Sequence, residues 1–503
     1  MILRELLDDI GGVPHALLGD DRLQVGGITA DSRAVNAGDL FVALPGTRTN
    51  GGLYIGEACR RGARVIAGDP TLGVPAGVAF IASTAPGQLL AHLAAGFHGH
   101  PAASLTMVGV TGTNGKTTVT YLLESIWIAA GWRPGVLGTI SYRYGGTAEP
   151  APLTTPPACE LFARLAAMRA AGATHVAMEV SSHALAQGRA EGVEWDAAIF
   201  TNLGRDHLDY HRDHDQYFLA KTRLFHALDA SPKAVRVAVL NAADLRVAGL
   251  GSGLRSRVVT FGEGGNVRAE SVEMTPAGTT AVIVLGDERL PVRTSLLGTG
   301  HLENVLAAAA AAYALGAPPE AIARGIASLP RVPGRLERVS GDEEFTVLVD
   351  FAHTPDALAG VLASLRALVS GRLICVFGCG GDRDRGKRPL MGRAVGKDAD
   401  VAVLTSDNPR TEDPYAIIAE AEAGLVAAAM PRCADLTTCD RGYIVLEDRA
   451  QAIASAIGCA RPGDCVVIAG KGHEDYQIIG TEKRPFDDHA VVRRVLGERR
   501  RWM

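Results

Sequence analysis

The sequence lacks several features that would assign it to a broad class at once. It has no long apolar segment able to span a bilayer. The longest candidate, Val305 to Leu315, is mostly alanine, too short and too weakly apolar. The first residues, Met1-Ile2-Leu3-Arg4-Glu5-Leu6-Leu7-Asp8-Asp9, carry early acids and no extended apolar run, unlike a secretion signal. With a net charge of -5 and no basic run interleaved with aromatics, nucleic acid is not expected as a partner. The eight cysteines are scattered, and the close pairs Cys375/Cys379 and Cys433/Cys439 do not match zinc-site spacing. A chain of this size needs no disulfide framework, so reduced thiols and a cytoplasmic location are expected. Lysine is scarce: of 50 basic residues only seven are lysine, at 116, 221, 233, 387, 397, 471 and 483. No Asn-Lys-x-Asp guanine motif, internal repeat or long low-complexity segment is present.

What is there is an ordinary globular composition, 47% hydrophobic and 21% charged over 503 residues, too long for one core and suggestive of three domains. The expected class is α/β. Residues 1–98 read as a small α/β domain with apolar runs Leu40–Leu44, Ala63–Ala67 and Val78–Ile81. The segment His98-Gly99-His100-Pro101 reads as a linker. Residues 99–332 alternate strands (His175–Val180, Ala197–Asn202, Val235–Asn241) with helical stretches, implying a mostly parallel sheet. After Val332-Pro333-Gly334-Arg335, residues 333–503 read as a second doubly wound, Rossmann-like domain. Its strands are expected near Thr346–Val349, Leu373–Phe377, Val401–Thr405 and Cys465–Ala469.

The central domain opens on Val110-Thr111-Gly112-Thr113-Asn114-Gly115-Lys116-Thr117-Thr118. A strand over Leu105–Val110 precedes it and an amphipathic run over Val119–Ala130 follows. Strand, glycine loop and helix in that order present backbone N–H groups to an anion. Lys116 adds a charge for the outer phosphates and Thr117 a hydroxyl suited to Mg²⁺. The full phosphate-loop pattern wants a glycine where Val110 stands, so this is a shortened variant. Glu179, at a strand end before Ser181-Ser182-His183, is either a solvated strand cap or placed to hold a nucleotide's metal, and His207, within Thr201–His211, offers a second ligand unless that cluster is a helix N-cap with ordinary surface histidines. Lys221 lies on a predicted helix. It is either a surface residue or kept for its amine, one use of which is reaction with CO₂ to form a metal-binding carbamate. Four polar loops follow strands of the last domain: Asp350–Asp356, Gly378–Arg388, Thr405–Arg410 and Gly470–Glu474. Four such loops at strand ends of one domain suggest a shared pocket, and the second suits phosphate or carboxylate recognition.

With these motifs in order, the chain resembles the Mur ligase family of bacterial cell-wall synthesis across essentially its whole length. The shortened loop Gly112–Thr118, Glu-Val-Ser-Ser-His at 179–183, Thr-Asn-Leu-x-Arg-Asp-His-Leu-Asp-Tyr-His at 201–211 and Lys221 carry the likeness. The resemblance implies three domains, a UDP-sugar-binding one, an ATP-binding one and an amino-acid-binding one, in a monomeric enzyme. It implies ATP binding by Gly112, Thr113, Asn114, Gly115, Lys116, Thr117, Thr118, Asn304 and Arg335, and catalytic roles for Lys116, Glu179, His207, Lys221 and His353. Mg²⁺ would be held by Thr117, Glu179, His207 and Lys221 as its carbamate. Ser32, Thr47, Arg48, Thr49, Thr154, Thr155, Ser181, Gln187 and Arg189 would hold a UDP-N-acetylmuramoyl dipeptide. The tetrapeptide Asp407-Asn408-Pro409-Arg410 resembles members that add meso-2,6-diaminopimelate, with Arg383, Gly470 and Glu474 completing that end. The implied reaction is ATP-dependent ligation of that diamino acid to the γ-carboxylate of a D-glutamate through an acyl phosphate. A lysine-adding enzyme and a folylpolyglutamate synthase-like ligase are the alternatives. One departure stands out. The family's Gly-x-Phe-Asn-x-x-Asn is here Gly298-Thr299-Gly300-His301-Leu302-Glu303-Asn304, which keeps only the outer glycine and final asparagine.

Overall fold

The computed structural model describes residues 1–46, 49–341 and 343–502, with backbone only at 500–502. Three large sheets follow one another along the chain, and a two-stranded ribbon, Tyr476–Ile479 with Glu482–Pro485, lies near its end. The first is five-stranded, in the order Ala16–Leu18, Ala79–Ala82, Val65–Gly68, Leu40–Ala43 and Ile28–Thr29, parallel except for its first strand. Its three longer strands match the apolar runs read from the sequence. The second sheet has eleven strands. Its centre is parallel: Arg257–Phe261, Val237–Asn241, Ala197–Phe200, Thr106–Thr111, His175–Glu179 and Pro134–Leu137 lie side by side.

The sheet is mostly parallel, as the sequence implied, with six parallel pairings to four antiparallel ones, and both of its wings are antiparallel additions. On one side lie Ser141–Tyr144 and Thr147–Pro150, joined through Gly145 and Gly146 at φ 57° and 83°. On the other lie Val267–Thr275, Gly278–Leu285 and Glu288–Thr294. Positive φ at both turn residues is what a tight hairpin needs, and glycine reaches it without strain. The wing strand Glu288–Thr294 alternates buried and exposed residues, whereas the central strands Ala197–Phe200 and Val237–Asn241 are buried along their length because helices cover both faces.

The third sheet runs Glu337–Arg338, Thr346–Asp350, Cys465–Ala469, Leu373–Phe377, Val401–Leu404 and Gly442–Val445, all parallel but the first. The four polar loops read from the sequence leave the same end of adjacent strands of this sheet. The alanine-rich segment forms the helix Thr299–Ala314, whose Ala307 to Ala312 are buried against the central sheet. Small side chains let helix and sheet approach closely. Among the described residues no helix is long and apolar enough to cross a membrane.

Two expectations are corrected. The helix after the glycine loop spans Lys116–Ala129 rather than starting at Val119, because Gly115 at φ 90° is its N-cap. The first helical N–H groups are therefore those of the lysine and threonines themselves. Cys433 and Cys439 are joined in a disulfide, against the expectation of free thiols throughout. The segment between them folds back, with Cys433 N–H donating to Tyr443 O at 2.8 Å, which spacing alone could not reveal.

The C-terminal helix Asp488–Trp502 is tied to the start of the third sheet. His489 Nε2 lies 2.9 Å from Glu337 Oε2, which also accepts the Gly334 N–H at 2.8 Å. Burial disfavours the imidazolium, but Glu337 and Asp487 outweigh it and raise the pKa above 6.5. Burial likewise opposes the Glu337 carboxylate, yet His489 and the Gly334 N–H bring its pKa below 4.5. The raised histidine contributes fully below pH 6.5 and is lost as pH rises through its folded pKa. The depressed carboxylate contributes above pH 4.5 and is lost as pH falls through its own. His489→Gln is therefore expected to cost about 1–2 kcal/mol near pH 5.5 and clearly less near pH 8.5, read by thermal unfolding at both pH values.

Candidate active site

The glycine loop is wedged between two side chains that dictate its residues. A Cβ on Gly112, at φ 140°, would lie 1.9 Å from Thr201 Oγ1, and one on Gly115 would lie 2.1 Å from Asn304 Oδ1. Thr113 N–H donates to Asn202 O at 2.9 Å, and Thr201 Oγ1 donates to Asn114 O at 2.5 Å. The loop is thus held from the adjacent strand Ala197–Phe200 and from the helix Thr299–Ala314. Asn304 therefore meets the loop despite the altered motif around it. His301 lies one turn earlier with Nδ1 2.9 Å from Leu297 O. Lys116 folds back over its own loop, Nζ donating to Gly112 O at 2.9 Å and Thr113 O at 3.0 Å. Burial lowers its pKa, opposed in part by Glu179 and Asp206. Thr117 and Thr118 are buried in the first helical turn.

Glu179 ends the neighbouring strand and is 1% exposed. Its carboxylate accepts from Thr139 N–H at 2.8 Å, Thr139 Oγ1 at 2.9 Å and Thr117 Oγ1 at 3.1 Å. Thr139 was not singled out from the sequence. The only available signal is its position just beyond the strand Pro134–Leu137, at the sheet end that carries the glycine loop.

Lys221, on the helix His214–Ala230, is 1% exposed, so the surface-lysine alternative is excluded. Its Nζ donates to Gly112 O at 2.8 Å and lies 4.4 Å from the centre of the Tyr217 ring. Burial, reinforced by Lys116, pushes its pKa well below 10.5. His207 has φ 57° and caps the short helix Leu208–His211, with its ring against His183 at 4.7 Å. Burial lowers its pKa, against the opposing charge of Asp206, so the imidazole is neutral at pH 7. Among the described residues no group of three or more His, Cys, Asp and Glu forms a metal cage.

The C-terminal part closes over this end of the central sheet. Arg335 Nη2 donates to Thr117 Oγ1 at 3.2 Å and its guanidinium stacks 4.3 Å from the Phe351 ring centre. His353 has Nδ1 2.8 Å from Phe351 O and Nε2 3.9 Å from Asp206 Oδ2. Arg205 N–H donates to Asp356 Oδ2 at 3.0 Å, and Arg205 Nε to Asp384 Oδ2 at 3.2 Å. Burial raises the Asp206 pKa, but His207, His353 and Lys387 more than compensate and lower it.

The dipeptide candidates form a chain leading away from Glu179. Thr154 Oγ1 lies 3.1 Å from Thr139 Oγ1, and Thr155 Oγ1 donates to Glu179 O at 2.8 Å. Ser181 N–H donates to Thr155 Oγ1 at 3.0 Å. Arg189 reaches Thr155 O at 3.0 Å and Gln187 Oε1 at 2.8 Å. Ser32 belongs to the five-stranded unit, where its Oγ donates to Glu57 at 3.0 Å, and no contact joins it to this chain among the described residues. Thr49 is exposed on the same unit. Thr47 and Arg48 lie outside the described residues.

The amino-acid candidates meet at the end of the third sheet. Asn408 Nδ2 donates to Glu474 Oε2 at 3.0 Å, and Lys471 Nζ donates to Asn408 Oδ1 at 2.9 Å. Asp407 is buried beside Gly470, where a Cβ would come 2.6 Å from its Oδ2. Pro409 O packs against Gly381. Arg410, at φ 53°, donates from Nη1 to Gly381 O at 2.7 Å, and Arg383 donates from Nη1 to Asp382 O at 3.0 Å. Both hydrogen-bond carbonyls rather than carboxylates. Burial and the nearby Arg383 lower the Arg410 pKa, while burial and Asp407 raise that of Glu474. Asp407, Glu474 and Asp382 bear on Arg410 in the opposite sense, as Lys471 and Arg410 do on Glu474, so the corner holds charges of both signs close together.

Known proteins bear on this arrangement. Three family models match: "Mur ligase family, catalytic domain" over residues 24–98, "Mur ligase middle domain" over 110–312 and "Mur ligase, glutamate ligase domain" over 334–472. A UDP-N-acetylmuramoyl-L-alanyl-D-glutamate–2,6-diaminopimelate ligase of Geobacter metallireducens is 46% identical, over 97% of each chain. The ligase of that name from Streptomyces coelicolor is 42% identical, over 98% of this chain and 96% of its own. A solved structure under the same name superposes with a TM-score of 0.69 at 33% identity, covering 99% of both chains. The MurF ligase of Thermotoga maritima in complex with ADP shares the fold at a TM-score of 0.62 and 21% identity, over 95% and 98% of the two chains. Matched in all three parts and along nearly its whole length, the chain belongs to the Mur ligase family, whose members are ATP-dependent amide-forming ligases.

Proposed function

We propose that this enzyme joins meso-2,6-diaminopimelate to the D-glutamate γ-carboxylate of UDP-N-acetylmuramoyl-L-alanyl-D-glutamate, acting as a cytoplasmic monomer. Residues 1–98 hold the uridine end, 99–332 the ATP and 333–503 the incoming amino acid. The observation that carries the reading is the meeting of the glycine loop, Glu179, buried Lys221 and Arg335 at one end of the central sheet, facing the Arg383–Arg410 corner.

A carboxylate is a poor acyl donor, so its oxygen first attacks the γ-phosphorus of ATP, ADP leaves and an acyl phosphate remains. The diaminopimelate amine then attacks the carbonyl carbon, and phosphate departs from the tetrahedral intermediate. Carboxylate and γ-phosphate repel by about 4 kcal/mol at 4 Å and an effective dielectric of 20. Lys116 and Arg335 offset that repulsion from opposite walls, and the N–H groups of the first helical turn cradle the phosphates. Thr117, Glu179 and neutral His207 fit a divalent cation, but a protonated Lys221 beside them would repel one. Its depressed pKa favours the free amine, which reacts with CO₂ to give a carbamate anion. Mg²⁺ held by these four residues would neutralise charge on the transferring phosphoryl group. Thr139 orients the Glu179 carboxylate, and His353 faces the same cleft. Thr154, Thr155, Ser181, Gln187 and Arg189 guide the dipeptide toward it, and Ser32 and Thr47–Thr49 anchor the uridine nucleotide.

Arg410 selects the amino acid, because diaminopimelate carries a second carboxylate where lysine has none, and a guanidinium pairs with it bidentately. ADP release should require both the uridine-linked dipeptide and ATP, and hydroxylamine should trap the acyl phosphate as a hydroxamate. ADP release that ignores omission of the dipeptide would overturn the reading.

A further inference from the structure

Asp384 stands next to Arg383 in the loop Gly378–Arg388, with its side chain 15% exposed. Its Oδ2 accepts from Arg205 Nε of the central part at 3.2 Å, while its Oδ1 accepts the Gly386 N–H of its own loop at 2.9 Å. Arg205 lies two residues before His207, and its backbone N–H donates to Asp356 Oδ2 at 3.0 Å. Small residues line the contact. A Cβ on Gly204 would lie 2.8 Å from Asp356 Oδ2, and one on Gly386 would lie 2.9 Å from Arg205 Nη2.

The loop that Arg205 reaches is braced to its neighbour. Gly381 N–H donates to Asn408 O at 2.9 Å, Arg410 Nη1 to Gly381 O at 2.7 Å and Thr411 Oγ1 to Asp382 Oδ1 at 2.8 Å. The loops Gly378–Arg388 and Thr405–Arg410 therefore form one unit, the corner that carries the amino-acid candidates. Hydrogen bonds also cross from residues 99–332 to residues 333–503 at Thr117–Arg335, Thr299–Ser364 and Arg205–Asp356. Among the described residues, Arg205–Asp384 is the one hydrogen bond or ion pair from the central part that reaches this corner.

We propose that Arg205 is a positioning residue for the amine-attack step. Paired with Asp384, it fixes the amino-acid corner in register with the end of the central sheet where the acyl phosphate forms. The incoming amine is thereby held within reach of the carbonyl carbon. This rests on the function proposed above. Arg205 touches no reacting atom and acts through the geometry of attack, where 1 Å of misplacement lowers a rate by up to about 100-fold. The Arg205 side chain is 40% exposed, and such a pair is by itself a tie of about 5-fold at most. The expected effect lies between these two limits.

The test separates the two chemical steps. Hydroxylamine needs no amino-acid site and reports acyl-phosphate formation, whereas tripeptide formation reports attack by the bound amino acid. Arg205→Ala keeps the backbone bond to Asp356. Asp384→Asn keeps an oxygen for the Gly386 N–H and turns an amide N–H toward the guanidinium, so it breaks the pair from the other side. The expected result is a kcat/KM for diaminopimelate lowered about 10-fold in each variant, with hydroxamate formation and the KM for ATP within about 2-fold. The double variant should lose no more than either single one, and Arg205→Lys should recover to within about 3-fold of wild type. Equal losses of hydroxamate and tripeptide would make Arg205 a prop for the His207 loop. Unchanged tripeptide formation would leave the pair idle, and losses that multiply in the double variant would mean that the two residues act separately. Each of these three results would overturn the proposal. The wild-type enzyme alone decides which amino acid is ligated, so a wrong substrate shows there, and the pair is read with the amino acid that the wild type uses.

Discussion

Lys221→Ala is expected to lose on the order of 1,000-fold in kcat, because the carbamate proposed for it would be an anion at the centre of the site, opposing the charge of Lys116. Millimolar formate or acetate should restore part of that activity, since a short carboxylic acid can occupy the space of the missing carbamate. Lys221→Arg should be as inactive as the alanine variant and should not be rescued, because a guanidinium stays protonated and fills the cavity. Carbon-13 NMR of enzyme equilibrated with labelled CO₂ should show one carbamate carbon that Lys221→Ala lacks. No rescue, together with no carbamate signal, would leave the buried amine as a hydrogen-bond donor to Gly112 and nothing more.

Arg410→Ala is expected to depress kcat/KM for diaminopimelate by about 30- to several-thousand-fold, the equivalent of roughly 2–5 kcal/mol for a charged partner left unmatched in a buried site. The KM for ATP should stay within about 3-fold, because the guanidinium contacts Gly381 and Asn408 on the amino-acid side and none of the loop residues. Lysine, with no second carboxylate, should be used no worse by the variant than by the wild type. Parallel losses toward diaminopimelate and ATP would mean that Arg410 supports the fold of its loop rather than recognising a carboxylate. Its φ of 53° and its backbone bonds to Ile478 and Gly480 make that alternative concrete.

The parts of this site that were legible in the sequence are those whose chemistry demands a residue type at a strand end. Gly112, Gly115, Lys116 and Thr117 follow one strand, Glu179 ends the next, and the parallel sheet brings them together without further instruction. The four polar loops of the third sheet were legible for the same reason. Lys221 was ambiguous because helical position does not reveal burial, and only the packing of the helix His214–Ala230 against the glycine loop decides it. Thr139 was missed because a lone threonine after a short strand carries no pattern, although it supplies two of the three donors to Glu179. The antiparallel wings were missed because strands such as Thr147–Pro150, exposed throughout, and Val267–Thr275, mostly exposed, offer no alternating apolar face to read. The Cys433–Cys439 bond was missed because proximity across a folded-back loop is tertiary information.

The most direct measurement is competitive product analysis. Enzyme, ATP, Mg²⁺ and UDP-N-acetylmuramoyl-L-alanyl-D-glutamate are incubated with equimolar meso-diaminopimelate and L-lysine, and the uridine-linked product is identified by mass. The expected result is a tripeptide carrying diaminopimelate in at least about 30-fold excess over the lysine product, with one ADP per bond formed. A lysine-containing product in equal or greater amount, or ADP release with no peptide product, would contradict the assignment.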